Sequence, residues 1–92
     1  MSNDVRILKI ITGEEVITRV TERGDGFIIL DKPMQIHTVY SQTGKLRFMI
    51  IPWMDIIKTK KITISTEHIL VEDDPIEGIE KDYLTIVTGL TL

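Results

Sequence analysis

His37 and His68 are the only imidazoles in the chain, and no cysteine accompanies them. Zinc sites recruit histidine and cysteine at short fixed spacings, and neither histidine has such a neighbour, so no metal ligand set is expected. Acid and base catalysis asks for a histidine oriented by a partner, or for two carboxylates held apart across a cleft. Glu14-Glu15 and Asp73-Asp74 are adjacent in sequence, which suits turns and caps more than an acid/base couple. His37 falls at a polar position of an alternating segment and reads as a surface residue. His68 sits in a short turn, where it would bond backbone or line a pore. Gly24 and Gly26 flank Asp25 and mark a turn, and no glycine pattern matches a phosphate loop. No serine stands in a nucleophile elbow. The chain is therefore expected to be non-enzymatic, with no catalytic residues, no metal and no cofactor.

Charge offers a different chemistry. Lys45, Arg47, Lys58, Lys60 and Lys61 face one acid, Asp55, between residues 45 and 61, whereas residues 67 to 82 carry seven acids against Lys81. A cationic patch could hold nucleic acid by neutralising phosphates. The net charge of −3 works against a general binder of that kind. The plainer reading makes Lys58, Lys60 and Lys61 a solvated turn that discourages edge pairing.

The elements that position these residues are mostly strands. Ninety-two residues with 42% hydrophobic and 27% charged side chains suit one globular domain. Without cysteine, the expected home is a reducing compartment, the cytoplasm by default. The longest apolar run, Phe48 to Met54, contains Pro52 and is far shorter than the roughly 20 residues of a membrane helix. The start at Asn3-Asp4 lacks the basic region of a signal peptide.

Val5 to Ile11 and Val16 to Glu22 predict a hairpin about Gly13, and Phe27 to Leu30 a further strand after the Arg23-Gly24-Asp25-Gly26 turn or bulge. Asp31-Lys32-Pro33 interrupts the ladder before Met34 to Tyr40. Ser41 to Gly44 turns the chain into Leu46 to Ile51, which Pro52 ends. Beyond Arg47 both faces of this strand are apolar, which calls for barrel closure over it or a partner chain against it. Phe48, Ile50, Ile51 and Trp53 are thus candidate oligomer contacts, although Trp53 could equally cap the core. Lys60 to Ser65 and Ile69 to Glu72 predict two more short strands about Thr66-Glu67-His68. A helix is predicted over 75–88, with Asp74 and Glu77 as a capping box, Pro75 as first residue, Ile76, Ile79, Tyr83 and Ile86 as its apolar face, and Gly89 as stop.

Two stretches carry a resemblance. Ile7-Leu8-Lys9-Ile10-Ile11-Thr12-Gly13-Glu14-Glu15-Val16 resembles the first hairpin of the Sm-like superfamily, which includes the Sm, LSm and Hfq proteins. Ile64-Ser65-Thr66-Glu67-His68-Ile69-Leu70 is placed like the family's second motif. Together they bracket about two thirds of the chain. The resemblance implies a small, strongly bent five-stranded barrel over about residues 5–73, here with an added C-terminal helix. It also implies a homo-oligomeric ring built by edge-strand pairing and, in many members, binding of single-stranded RNA. The RNA-contacting residues do not carry over: Gly24, Gly26, Phe27 and Ile28 occupy the places of the first set, and Ser65 and Thr66 replace the arginine and glycine of the second. The chain also departs in lacking an N-terminal helix and in the extra sequence between Phe48 and Lys61. Two roles are left open: a ring that holds RNA through a surface of its own, or a scaffold that docks a protein partner through its acidic helix.

Overall fold

The computed structural model describes residues 4–54 and 61–89. Six strands form one antiparallel sheet: β1 (Val5–Ile10), β2 (Glu15–Gly24), β3 (Phe27–Tyr40), β4 (Leu46–Pro52), β5 (Lys61–Ser65) and β6 (Ile69–Asp73). Helix α1 (Glu77–Thr88) follows. The order across the sheet is β4-β3-β2-β1-β6, with β5 also on β3. A mainly β fold with a C-terminal helix thus stands. Among the described residues the sheet has six strands where the barrel pattern has five, and no ladder closes it. Its nearest approach to closure is a single 3-10 turn at Thr66–His68 between β5 and β6. The Ile11 amide donates to the His68 carbonyl at 2.8 Å, and the Thr66 amide to the Gly26 carbonyl at 3.0 Å. This corner is held from both sides by backbone. It contains the second stretch that carries the Sm-like resemblance.

The two strand segments expected on either side of Asp31-Lys32-Pro33 are one 14-residue strand with an irregularity inside it. Arg19 lies opposite Asp31 and Ile17 opposite Met34, so two steps along β2 match three along β3. A one-residue slip turns subsequent side chains to the other face of a sheet. Ile28 and Leu30 accordingly join a core with Leu8, Ile10 and Val16, whereas Met34 and Ile36 pack on the opposite face with Val5, Ile17, Ile79 and Tyr83. All four β3 residues have even numbers, so an unbroken strand would have put them on one side. Lys32 takes a left-handed φ of 55° at the irregularity, and Pro33 brings no amide donor.

Tyr83 of α1 repairs what the slip leaves unpaired. Its hydroxyl donates toward the Lys32 carbonyl at 2.8 Å and the Asp31 carbonyl at 3.1 Å, and accepts from the Arg19 amide at 3.2 Å. Thr18, fully buried in β2, also reaches the Asp31 carbonyl, at 3.2 Å. Tyr83 is itself fully buried. Burial pushes its phenol up to about 12. The helix is therefore a second layer of the core and not an appendage.

Its boundaries differ from the sequence expectation at the start. Ile76 is the N-cap, extended and without a side-chain cap bond, and the helix begins at Glu77. Asp74 does not form the expected capping box, because its carboxylate pairs with Arg6 of β1 and its amide is taken by Asp73 Oδ1 at 2.7 Å. The buried face is also rotated: Ile79 and Tyr83 are buried and Leu84 and Val87 join them, while Ile76 and Ile86 are exposed. Gly89 ends the helix in the left-handed conformation, as the sequence suggests.

Candidate assembly edges

Strands at the margin of a sheet leave amides and carbonyls unpaired, and an exposed apolar edge is a template for another chain. Among the described residues β6 pairs only with β1, and β4 only with β3. Leu70 and Val71 of β6 are 62% and 56% exposed. At the other margin, Leu46, Phe48 and Met49 of β4 are between 45% and 52% exposed. β5 also has β3 as its one paired neighbour, beside Phe27–Asp31.

The four expected oligomer contacts separate into two kinds. Trp53 packs against the inner core, and the nearby Thr12 hydroxyl donates to the Glu14 carboxylate. The Thr12 hydroxyl is the main reason that carboxyl is held below its usual range. Ile50 packs beneath the helix layer. Phe48 remains exposed, and Ile51 is half-buried. The doubly apolar strand is thus satisfied internally at its C-terminal end and open at its N-terminal end. Register explains the division: Ile50 lies opposite Ile36, on the helix-covered face, whereas Phe48 lies opposite exposed Thr38, farther out along the hairpin.

Of the expected cationic set, Lys45, Arg47 and Lys61 fall among the described residues, and Lys61 stands apart from the other two. Lys58 and Lys60 lie outside the described residues. Arg47 pairs in register with Val39 and Lys61 with Asp31, eight residues apart along β3. At a rise of about 3.3 Å per residue that is about 26 Å. Lys45 and Arg47 stay together near the tip of the β3–β4 hairpin, which Ser41 and Gly44 close: the Ser41 amide donates to the Lys45 carbonyl at 2.8 Å, and Gly44 supplies a φ of 83°.

At the turn where the Sm-like pattern places its first RNA-reading set, the side chains are spent internally. The Phe27 ring lies over Gly24 so closely that a Cβ there would stand 2.0 Å from a ring carbon. Any side chain at position 24 would require the ring to move. The Gly26 carbonyl is taken by Thr66. Ile28 is buried in the inner core.

Sequence reasoning passed over the strongest charged cluster. Arg6 Nε donates to Glu72 Oε2 at 2.7 Å, while Arg23 bonds both oxygens of the same carboxylate, Nη1 reaching Oε1 at 3.2 Å. Arg6 also pairs with Asp74. Hydrogen bonding from Arg23 holds the Glu72 carboxyl below its usual range, with Arg6 adding to it. The three residues sit on β1, β2 and β6, so the network ties the marginal strand β6 into the body. Arg6 stands at a mixed strand position and Arg23 in a turn cluster, and only the sheet order shows that they share a carboxylate 49 or more positions away.

His37 and His68 are both exposed. Among the described residues no three histidine, aspartate or glutamate side chains cluster as a metal site. No helix among them is long and apolar enough to cross a membrane. Comparison with models of known protein families and with curated proteins finds no match.

Proposed function

We propose that this chain is a non-catalytic, Sm-like structural module that assembles with copies of itself by head-to-tail pairing, β6 of one copy against β4 of the next. The observation that carries this reading is the presence, at opposite margins of one sheet, of two unlike strands that each have one edge without a partner among the described residues and expose large apolar side chains. Unlike edges make a heterologous contact, which closes into a ring when the rotation between copies permits. The corner at Thr66–His68 and the Gly13 hairpin support the Sm-like part of the reading, since both stretches of resemblance form strand-turn-strand units on which the sheet depends.

Between the two roles that such an assembly could serve, docking of a protein partner is favoured over RNA. The positions that would read a base are occupied by Gly24, Gly26 and Phe27, and of the expected cations Arg47 and Lys61 register at well-separated points of β3. Light scattering of the purified protein at micromolar concentration should give a mass several times that of the 10.5 kDa chain. Leu70→Lys should reduce that mass while circular dichroism stays unchanged. A monomeric wild-type chain would overturn the assembly reading. Labelled oligo-U should not bind at low salt, and a salt-sensitive association would restore the RNA role.

A further inference from the structure

A trough runs between α1 and the sheet, made of two open hollows of about 220 and 280 Å³ that share Phe48. Its floor is apolar: Ile36, Phe48 and Ile50 from the sheet, with Ile76, Ile79 and Ile86 from the helix side. Phe48, Ile76 and Ile86 remain substantially exposed within it, although each is large and aliphatic or aromatic. Its rim is acidic, with Glu15, Asp73 and Asp74 at one end and Asp82 at the other. Arg6 answers Asp74 and Lys9 answers Glu15, whereas Asp73 and Asp82 have no cationic partner among the described residues.

The β3–β4 hairpin tip has the opposite character. Val39, Tyr40 and Leu46 are exposed, Tyr40 to 72%, and Lys45 and Arg47 stand beside them without an ion pair among the described residues. An apolar segment with two cations is thus the chemical complement of an apolar trough with two unanswered carboxylates. Position supports the same match. Asp73 ends β6, and Asp74, Pro75 and Ile76 follow it directly to line the trough. A strand laid against β6 therefore brings its own side chains to that end of the trough.

We infer that the β3–β4 hairpin of one copy seats in the trough between α1 and β4 of the next, with Tyr40 and Leu46 on Phe48, Ile76 and Ile86, and with Lys45 and Arg47 facing Asp73 and Asp82. This rests on the head-to-tail assembly proposed above and names the surfaces that give it specificity. Backbone hydrogen bonds at an edge do not by themselves fix the register of the contact. Complementary charge at the margin of the contact fixes register and rejects wrong pairings.

The test is a charge-reversal cycle read by light scattering across a dilution series at 50 mM and 500 mM NaCl, concentrations on either side of strong screening. Arg47→Glu and Asp82→Lys should each shift the assembly midpoint to higher concentration on the order of tenfold at low salt. The double variant should return it toward wild type. Both residues are exposed, so circular dichroism and thermal midpoints should stay unchanged. Tyr40→Ser should weaken assembly at both salt concentrations. If Arg47→Glu and Asp82→Lys assemble as wild type, or if the double variant stays dissociated, the seating of the hairpin is wrong, even where Leu70→Lys still breaks the assembly and leaves edge pairing standing. A wild-type chain that is monomeric throughout would remove both readings together.

Discussion

Strand β3 passes through two environments. From Phe27 to Asp31 it runs between β2 and β5, and Ile28 and Leu30 are buried almost completely. From His37 to Tyr40 its pairing is with β4, and every residue is exposed. The first half is finished within one chain. The second half is paired on one side and bare on both faces. Between them lie the Lys32-Pro33 irregularity, with Tyr83 set into it, and Met34 to Ile36, which pair with both β2 and β4. The difference teaches that apolar residues in this chain have two uses, one internal and already met, the other directed outward.

Removing the repair should have the largest effect on this contrast. Tyr83→Ala should destabilise the fold by about 3–5 kcal/mol, the cost of an aromatic deleted from a packed core. Urea unfolding would measure it. Tyr83→Phe keeps the ring and leaves the Arg19 amide and the Lys32 carbonyl without their partner, for about 1–3 kcal/mol. Deleting α1 to remove a partner would therefore confuse loss of docking with loss of folding. The same phenol sets an alkaline limit. Its folded pKa of about 12 stands above the ordinary 10, so its contribution is whole below pH 10 and declines as the pH rises toward 12. Tyr83→Phe should flatten the stability profile across that window.

The Glu72 network bears on the β6 margin, which it ties to β1 and β2. The folded carboxyl is depressed below 4.5, so its stabilisation is present above that value and is lost as the pH falls through the folded pKa. Glu72→Gln should make acid unfolding less steep below pH 4.5 and weaken β6 at neutral pH, which hydrogen exchange of the β6 amides would report. Lys32→Gly should have the smallest effect, a gain of up to about 1 kcal/mol, because glycine adopts a positive φ without the Cβ penalty. None of these changes should alter exposure of the hairpin tip. Arg47→Glu should do the reverse, disturbing assembly and sparing the fold.

Much of the finished half is legible in sequence. Gly13, Gly26, Gly44 and Gly89 all adopt the positive φ that their turn or stop positions call for, and the strand segments follow their alternating patterns closely. What the sequence hides is whatever depends on sheet order. Asp74 has the spacing of a helix cap, but a guanidinium 68 positions away outcompetes that local role. Asp31-Lys32-Pro33 looks like a break between strands because the hydroxyl that bridges it comes from another element. Ile86 matches the helical period, yet the docking angle leaves it at the trough. The basic residues around 45–61 form a run in the chain, and strand extension carries Arg47 and Lys61 apart. Periodicity records which residues avoid water, and it is silent on whether their own chain or another one covers them.

The contacts of Tyr83 also impose an order of events during synthesis. All six strands precede Tyr83 in the chain, so the hydroxyl that completes β3 belongs to the last of these elements to leave the ribosome. The trough has no helical wall until α1 is in place. On the assembly proposed above, a copy could receive a neighbour's hairpin only after its own α1 had packed.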